Sequence, residues 1–145
     1  MPPSFDKALG LLFVTARESC GIFYTWKDDY NPGDGYRGGA VQRVGEPHSA
    51  LRAIDVATGE KRWDFPYTSP QSWAGVLSTA SGLVFAGASG NFMAFDARTG
   101  KNLWHFQTGS AVYAGAITYM VDGRQYVLLP SGTTLTAYAL PGASN

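Results

Sequence analysis

Residues 94–104 read AFDARTGKNLW, and residues 53–63 read AIDVATGEKRW. Laid on one another at a spacing of 41 residues (53 to 94), they match Ala53 with Ala94, Asp55 with Asp96, Thr58 with Thr99, Gly59 with Gly100 and Trp63 with Trp104. Phe65 and Phe106 extend the match. The apolar segments LRAIDV and FMAFDA have strand character. Asp-x-x-Thr-Gly then supplies turn chemistry, because the carboxylate accepts backbone N–H groups two and three residues on and glycine permits positive φ. A second strand follows, KRWDF or NLWHF, whose Trp can lay a flat ring of ~150–250 Å² against a neighbouring sheet. A strand, turn and strand repeated at about 40 residues, with no helical stretch between copies, is the signature of β-propeller blades.

Length and composition bound the rest. With 145 residues the chain is too short for a whole propeller, which needs at least about four blades of ~40–45 residues. Eighteen Gly, eight Pro and 14% aromatics suit short strands joined by tight turns. Lys+Arg and Asp+Glu both number 11, so the basic excess that a nucleic-acid or anionic-membrane partner requires is missing. No run of 18 apolar residues occurs, and no membrane span is expected. The opening MPPSFDKALG has neither a basic start nor an apolar h-region, so no signal peptide is expected in this stretch. Cys20, the single cysteine, cannot form an internal disulfide and is expected to be a half-buried free thiol.

The expected fold is all-β: a partial propeller of about three four-stranded blades, the last lacking its outer strand. The first blade spans 1–66 and contains the strand LGLLFVTA (9–16), the docking repeat and an insertion over 17–47. That insertion is expected as a turn-rich loop with one short strand at GIFYTW (21–26). The second blade spans 74–108 with strands GVLST, LVFAG, NFMAF and KNLWHF, turning at Ala-Ser-Gly-Asn. The third, 111–140, uses VYAGAITYM, a hairpin at Asp122-Gly123, RQYVLLP and TLTAYAL, and ends without a Thr-Gly turn or docking Trp. Residues 142–145 are a tail.

Catalytic chemistry is sparse. His48 and His105 have no Cys, His or carboxylate at ligand spacing, and both read as structural. Ser72 lies outside any Gly-x-Ser-x-Gly context, and GASGNF does not join a strand to a helix, so neither an acyl-transfer nucleophile nor a phosphate cradle is expected. Asp28, Asp29 and Asp34, near Asn31 and Gly35, have the composition of a calcium loop but lack the alternation and terminal Glu of an EF-hand, and a solvated turn is expected. Trp73, Ala74 and Gly75 follow a Ser/Pro-rich loop; small residues beside a Trp let backbone approach something flat and bulky, while the plainer alternative is one more inter-blade aromatic.

The docking repeat resembles that of the quinoprotein dehydrogenases, which use pyrroloquinoline quinone (PQQ) in an eight-bladed propeller. PPSFDKALGLLFVTARESC is similar to the stretch of PQQ-dependent alcohol dehydrogenases after an Asn-Trp pair, and the segment from WAGVLSTASGLVFAG to DGRQYV is similar to their closing blades. The resemblance covers residues 2–140 and implies the C-terminal part of such a propeller. It implies that PQQ, with calcium or a lanthanide, oxidises alcohols to aldehydes in the full-length parent, with Trp73 at the cofactor's rim and Gly75 beside it. The family's metal ligands, catalytic aspartate, vicinal disulfide and quinone-facing basic residue belong to earlier blades. This chain is therefore expected to carry no catalytic or metal-binding residue, to bind no cofactor tightly and to be inactive alone. Met1 is expected to be an internal methionine of a longer parent or the start of a truncated remnant. The parent family is periplasmic, and the expected partners are the parent's remaining blades or further copies of the chain, with a small alcohol as substrate only in the complete enzyme. Two other readings stand beside it: a non-catalytic scaffold propeller whose loops bind proteins, as in the outer-membrane assembly lipoprotein, and a half-propeller that closes by self-association.

Overall fold

A computed structural model describes residues 1–33, 35, 38–69 and 73–140. The described residues form three antiparallel sheets, each with its strands in chain order. The first holds β1 (Ser4–Asp6), β2 (Leu11–Thr25), β3 (Gly39–Asp55) and β4 (Lys61–Pro66). The second holds β5 (Val76–Ser78), β6 (Leu83–Ala88), β7 (Asn91–Asp96) and β8 (Asn102–Gln107). The third has only β9 (Ile117–Val121), β10 (Arg124–Ser131) and β11 (Thr134–Tyr138). These are successive blades of a propeller, the last without an outermost strand. No helix among the described residues is long and apolar enough to cross a membrane.

The two copies of the repeat fold alike in every bond that matters. Asp55 Oδ1 accepts the N–H groups of Ala57 and Thr58, and Asp96 Oδ1 those of Arg98 and Thr99. Gly59 N–H donates to the Asp55 carbonyl and Gly100 N–H to that of Asp96, with φ at 76° and 72°. Ala53 lies opposite Trp63 and Ala94 opposite Trp104, and a bulge follows each alanine. The Thr99 hydroxyl also donates to Asp96, and these bonds hold the Asp96 carboxyl below its ordinary range.

Trp63 shows what the repeat is for. Its Nε1–H donates to the Ala97 carbonyl at 2.9 Å, and a methyl group added at Gly100 would lie 2.6 Å from the ring. The indole therefore clasps the turn of the next blade, and only glycine leaves room for it. Behind it Phe13 sits 5.7 Å away, centroid to centroid. Trp104 reaches the third blade in the same manner, edge-on to Tyr138 at 5.5 Å. That blade offers no Asp-x-x-Thr-Gly turn, so Trp104 stays 40% exposed and its Nε1 finds no acceptor among the described residues.

The period-two alternation of each strand puts apolar residues on both faces of a blade, as a stack of sheets requires. One core joins the first two blades through Phe13, Leu51 and Ala53 on one side and Val84, Met93 and Phe95 on the other. A second joins the next pair through Phe92, Val112, Val127 and Leu129. The innermost strands meet where Ser4 Oγ and Ser78 Oγ lie 2.6 Å apart and Val76 N–H donates to the Pro2 carbonyl.

Three expectations need correction. The stretch 17–47 is mostly ordered ribbon: β2 and β3 pair from Arg17–Ser49 to Thr25–Gly39, with a bulge between Glu18 and Cys20. Its Gly and Pro residues suggested turns, but pairing with the continuing β2 gives the backbone a ladder all the same. Cys20 is consequently exposed on this ribbon, not half-buried. Ahead of it, Ser4–Asp6 pairs with Leu11–Phe13 as the innermost strand. Conversely, the strand expected to start at VYAG begins only at Ile117. Asp34, Ser72 and the tail 142–145 lie outside the described residues.

Trp63→Ala is expected to cost about 3–5 kcal/mol in denaturant unfolding, the range for loss of a packed aromatic. Trp104→Ala is expected to cost clearly less, because its ring lacks the turn and the hydrogen bond.

Candidate functional site

Three chain segments converge at one end of the inner strands. Gly75, just ahead of β5, has no space for a side chain: a Cβ there would lie 2.6 Å from Pro2 Cγ and 3.0 Å from Gly115 Cα. Pro2 leads into the first blade and Gly115 into the third, so the small residue lets three blades close upon each other. Ala74 beside it is fully buried.

Trp73 stands at the edge of this junction, 48% exposed. The Arg17 guanidinium carbon lies 5.5 Å from its ring centroid, a cation–π arrangement. Arg17 lies just beyond the strand 9–16 that the sequence predicts. In the structure β2 continues, and residues 13, 15 and 17 share a face by the alternation of the strand. Phe13 and Thr15 are buried on that face and Arg17 follows them toward Trp73. The result is a half-exposed flat ring with a cation over one of its faces. Such a surface suits a planar, anionic molecule.

Below Arg17 the interface turns polar. Thr15 Oγ1 and Tyr67 Oη are both buried without a well-formed hydrogen bond. Burial pushes the Tyr67 phenol up to about 12, an effect the neighbouring Thr15 hydroxyl partly offsets. Tyr67, Met93 and His105 line a groove of ≈ 300 Å³ between the outer strands of the first two blades.

The remaining candidates stay apart. His48 is exposed on β3 opposite Glu18, and His105 lies on β8 opposite Met93. Asp28, Asp29, Asn31 and Gly35 are exposed. Among the described residues no group of three or more His, Cys, Asp or Glu could hold a metal ion. Glu18, Arg52, Asp64 and Lys61 form an ion network on the far face of the first blade; Arg52 holds the Glu18 carboxyl below its usual range.

Residues 66–127 match the family described as PQQ: glucose/ethanol/alcohol dehydrogenase, β-propeller domain. The quinoprotein alcohol dehydrogenase PedE of Pseudomonas putida is 38% identical over 130 residues, covering 87% of this chain and 20% of that protein. Among solved structures, the quinohemoprotein alcohol dehydrogenase of Comamonas testosteroni superposes with a TM-score of 0.80 at 32% identity, over 90% of this chain and 22% of that one. A europium-containing methanol dehydrogenase gives 0.81 at 31% identity, over 90% and 24%. The chain spans about a fifth of the length of the curated relatives it matches. It is similar to a part of the β-propeller of PQQ-dependent alcohol dehydrogenases.

Gly75→Ala is expected to destabilise the fold by about 1–3 kcal/mol through overpacking against Pro2 and Gly115, as read by denaturant unfolding. Because the folded Tyr67 phenol titrates near 12 and the unfolded one near 10.0, its contribution is intact below pH 10.0 and fades as pH climbs from there toward 12. Tyr67→Phe should remove that part of the alkaline loss in a pH series of unfolding curves.

Proposed function

We propose that this chain is the C-terminal portion of the propeller of a quinoprotein alcohol dehydrogenase, contributing one wall of the cofactor's rim to a site completed by other blades. The observation that carries the reading is the half-exposed Trp73 ring beside Arg17, held at the converging ends of the inner strands by Gly75. PQQ is a planar polycarboxylate, and a flat indole next to a guanidinium fits it in shape and charge. Bound in the complete protein, PQQ supplies the two-electron chemistry that takes an alcohol to an aldehyde.

Within this chain Trp73 offers a face, Gly75 keeps the approach narrow and Arg17 orients negative charge. On this reading the metal, calcium or a lanthanide, is held by other blades of the parent, the chain alone turns over no alcohol, and the parent is periplasmic.

A second reading, a non-catalytic scaffold that binds proteins, is favoured by the ribbon of β2 and β3. Ile22, Phe23, Tyr24, Val41 and Val44 are all exposed there, on both of its faces.

Titrating the purified chain with PQQ and calcium, by calorimetry and by tryptophan fluorescence, separates complete from partial sites. The expected result is weak or absent binding by this chain and tight, saturable binding by a parent carrying the earlier blades. Tight binding by the 145-residue chain would overturn the proposal that its site is partial, and no binding by the parent would favour the scaffold.

A further inference from the structure

The ribbon of β2 and β3 ends in two free edges of unlike character. β1 pairs with β2 only at Leu11–Phe13 and β4 with β3 only at Ala50–Ile54, so among the described residues no further strand pairs with the ribbon on either side. On β3 the ladder is interrupted by Gly45, at φ 74°, and by Pro47, which has no N–H to offer. On β2 the edge runs over residues 20–25 as CGIFYT, without a proline or a charge. An uninterrupted edge of this kind is a template for another strand.

One bond fixes which backbone groups are free. Trp26 N–H donates to the Gly38 carbonyl at 3.1 Å, in register with the pairs Tyr24–Ala40, Ile22–Gln42 and Cys20–Val44. Alternation along an antiparallel ladder then turns the N–H and C=O groups of Gly21, Phe23 and Thr25 away from β3. This edge is self-complementary about Ile22. When it is laid antiparallel on a second copy with Ile22 beside Ile22, Phe23 falls opposite Gly21 and Tyr24 opposite Cys20, in both directions. Gly21 and Phe23 then exchange main-chain hydrogen bonds, and the aromatic ring shields the backbone that the glycine leaves bare. Val41 already leans over Gly21 from its own strand, since a Cβ there would lie 2.8 Å from Val41 Cγ1. The Phe23 ring, 77% exposed in one copy, thus meets the exposed Val41 of the other.

We propose that β2 of one copy pairs antiparallel with β2 of a second copy, centred on Ile22, so that two ribbons join into one four-stranded sheet in the order β3–β2–β2–β3. The occupant is a second copy because a two-fold axis at Ile22 gives the glycine an aromatic and the small Cys20 a tyrosine, each supplied by the same edge. A lone two-stranded ribbon is marginal in water, whereas a sheet of three or more strands with an apolar face is not. Pairing also covers part of Ile22, Phe23 and Tyr24, all of them exposed on the single chain. It involves neither Trp73 nor Gly75 and does not rest on the cofactor-rim reading.

Disulfide trapping with diamide on the full 145-residue chain tests the contact and its register together. Ile22 would face its own copy as a non-hydrogen-bonded pair, with Cα atoms about 4.5 Å apart, inside the range a disulfide spans. Two Tyr24 positions would lie four residues out of register, about 13 Å apart along the strands. Ile22→Cys on a Cys20→Ser background is therefore expected to form a covalent dimer on non-reducing gels at least about tenfold faster than Tyr24→Cys on the same background. Tyr24→Cys with Cys20 retained should cross-link again, and the native chain should not. Ile22 and Tyr24 are 50% and 46% exposed, so neither change opens a core. Phe23→Lys, which sets a charge on the edge, should abolish trapping through Ile22→Cys. The proposal fails if Ile22→Cys stays monomeric under diamide, as it would were the edge covered by another protein or by nothing. It fails equally if all these thiols cross-link at one rate, as association through the end faces of the outer blades would give, or if Phe23→Lys changes nothing. None of these readouts involves PQQ, so a failure here is distinguishable from a failure of the cofactor-rim reading.

Discussion

The structure depends on one contact, the Trp63 indole seated on the turn of the following blade. An isolated four-stranded sheet with apolar side chains on both faces has no stable existence in water, because each face must be covered. Stacking the sheets covers them, but apolar faces alone slide. A hydrogen bond from Nε1 to the Ala97 carbonyl, with the ring filling the space over Gly100, fixes one sheet against the next in one register. The turn that receives the ring is itself fixed by the Asp96 carboxylate, so sequence, turn and inter-blade packing form a single device.

The same device explains where apolar surface stays exposed. The third blade offers Tyr138 to Trp104 but no turn, and the ring stays partly in solvent. Its far side shows Ile117, Val121 and Leu135 exposed, as the back of the first blade shows Phe5. Both end faces have the composition of an interior. The chain spans about a fifth of the length of the curated relatives it matches, and on the proposed reading further blades cover these faces.

The blades were legible in the sequence because their information is local. An aspartate, a glycine and a tryptophan at fixed offsets state a turn and what sits on it, and the Asp122-Gly123 pair, with φ at 48° and 73°, states a hairpin. The ribbon was not legible. Residues 39–49, GAVQRVGEPHS, carry Gly and Pro where strands seldom do, and their extended form comes from pairing with β2, a partner about 20 residues away. The site was half legible. Trp73 and Gly75 drew notice as a bulky residue beside small ones, but Arg17 reaches Trp73 only because β2 runs on past residue 16, and Pro2 and Gly115 meet Gly75 only through the stacking of three sheets. Contacts of that kind have no signature in any one stretch of chain.

Hydrogen exchange of the indole N–H groups tests the central claim most directly, since it reports each tryptophan's own bond. The account predicts that the Trp63 Nε1–H exchanges only through opening of the inter-blade contact, with strong protection, while the Trp104 Nε1–H exchanges fast. Equal, fast exchange at both positions would contradict it, for then the clasp on Ala97 would not be what holds the blades together.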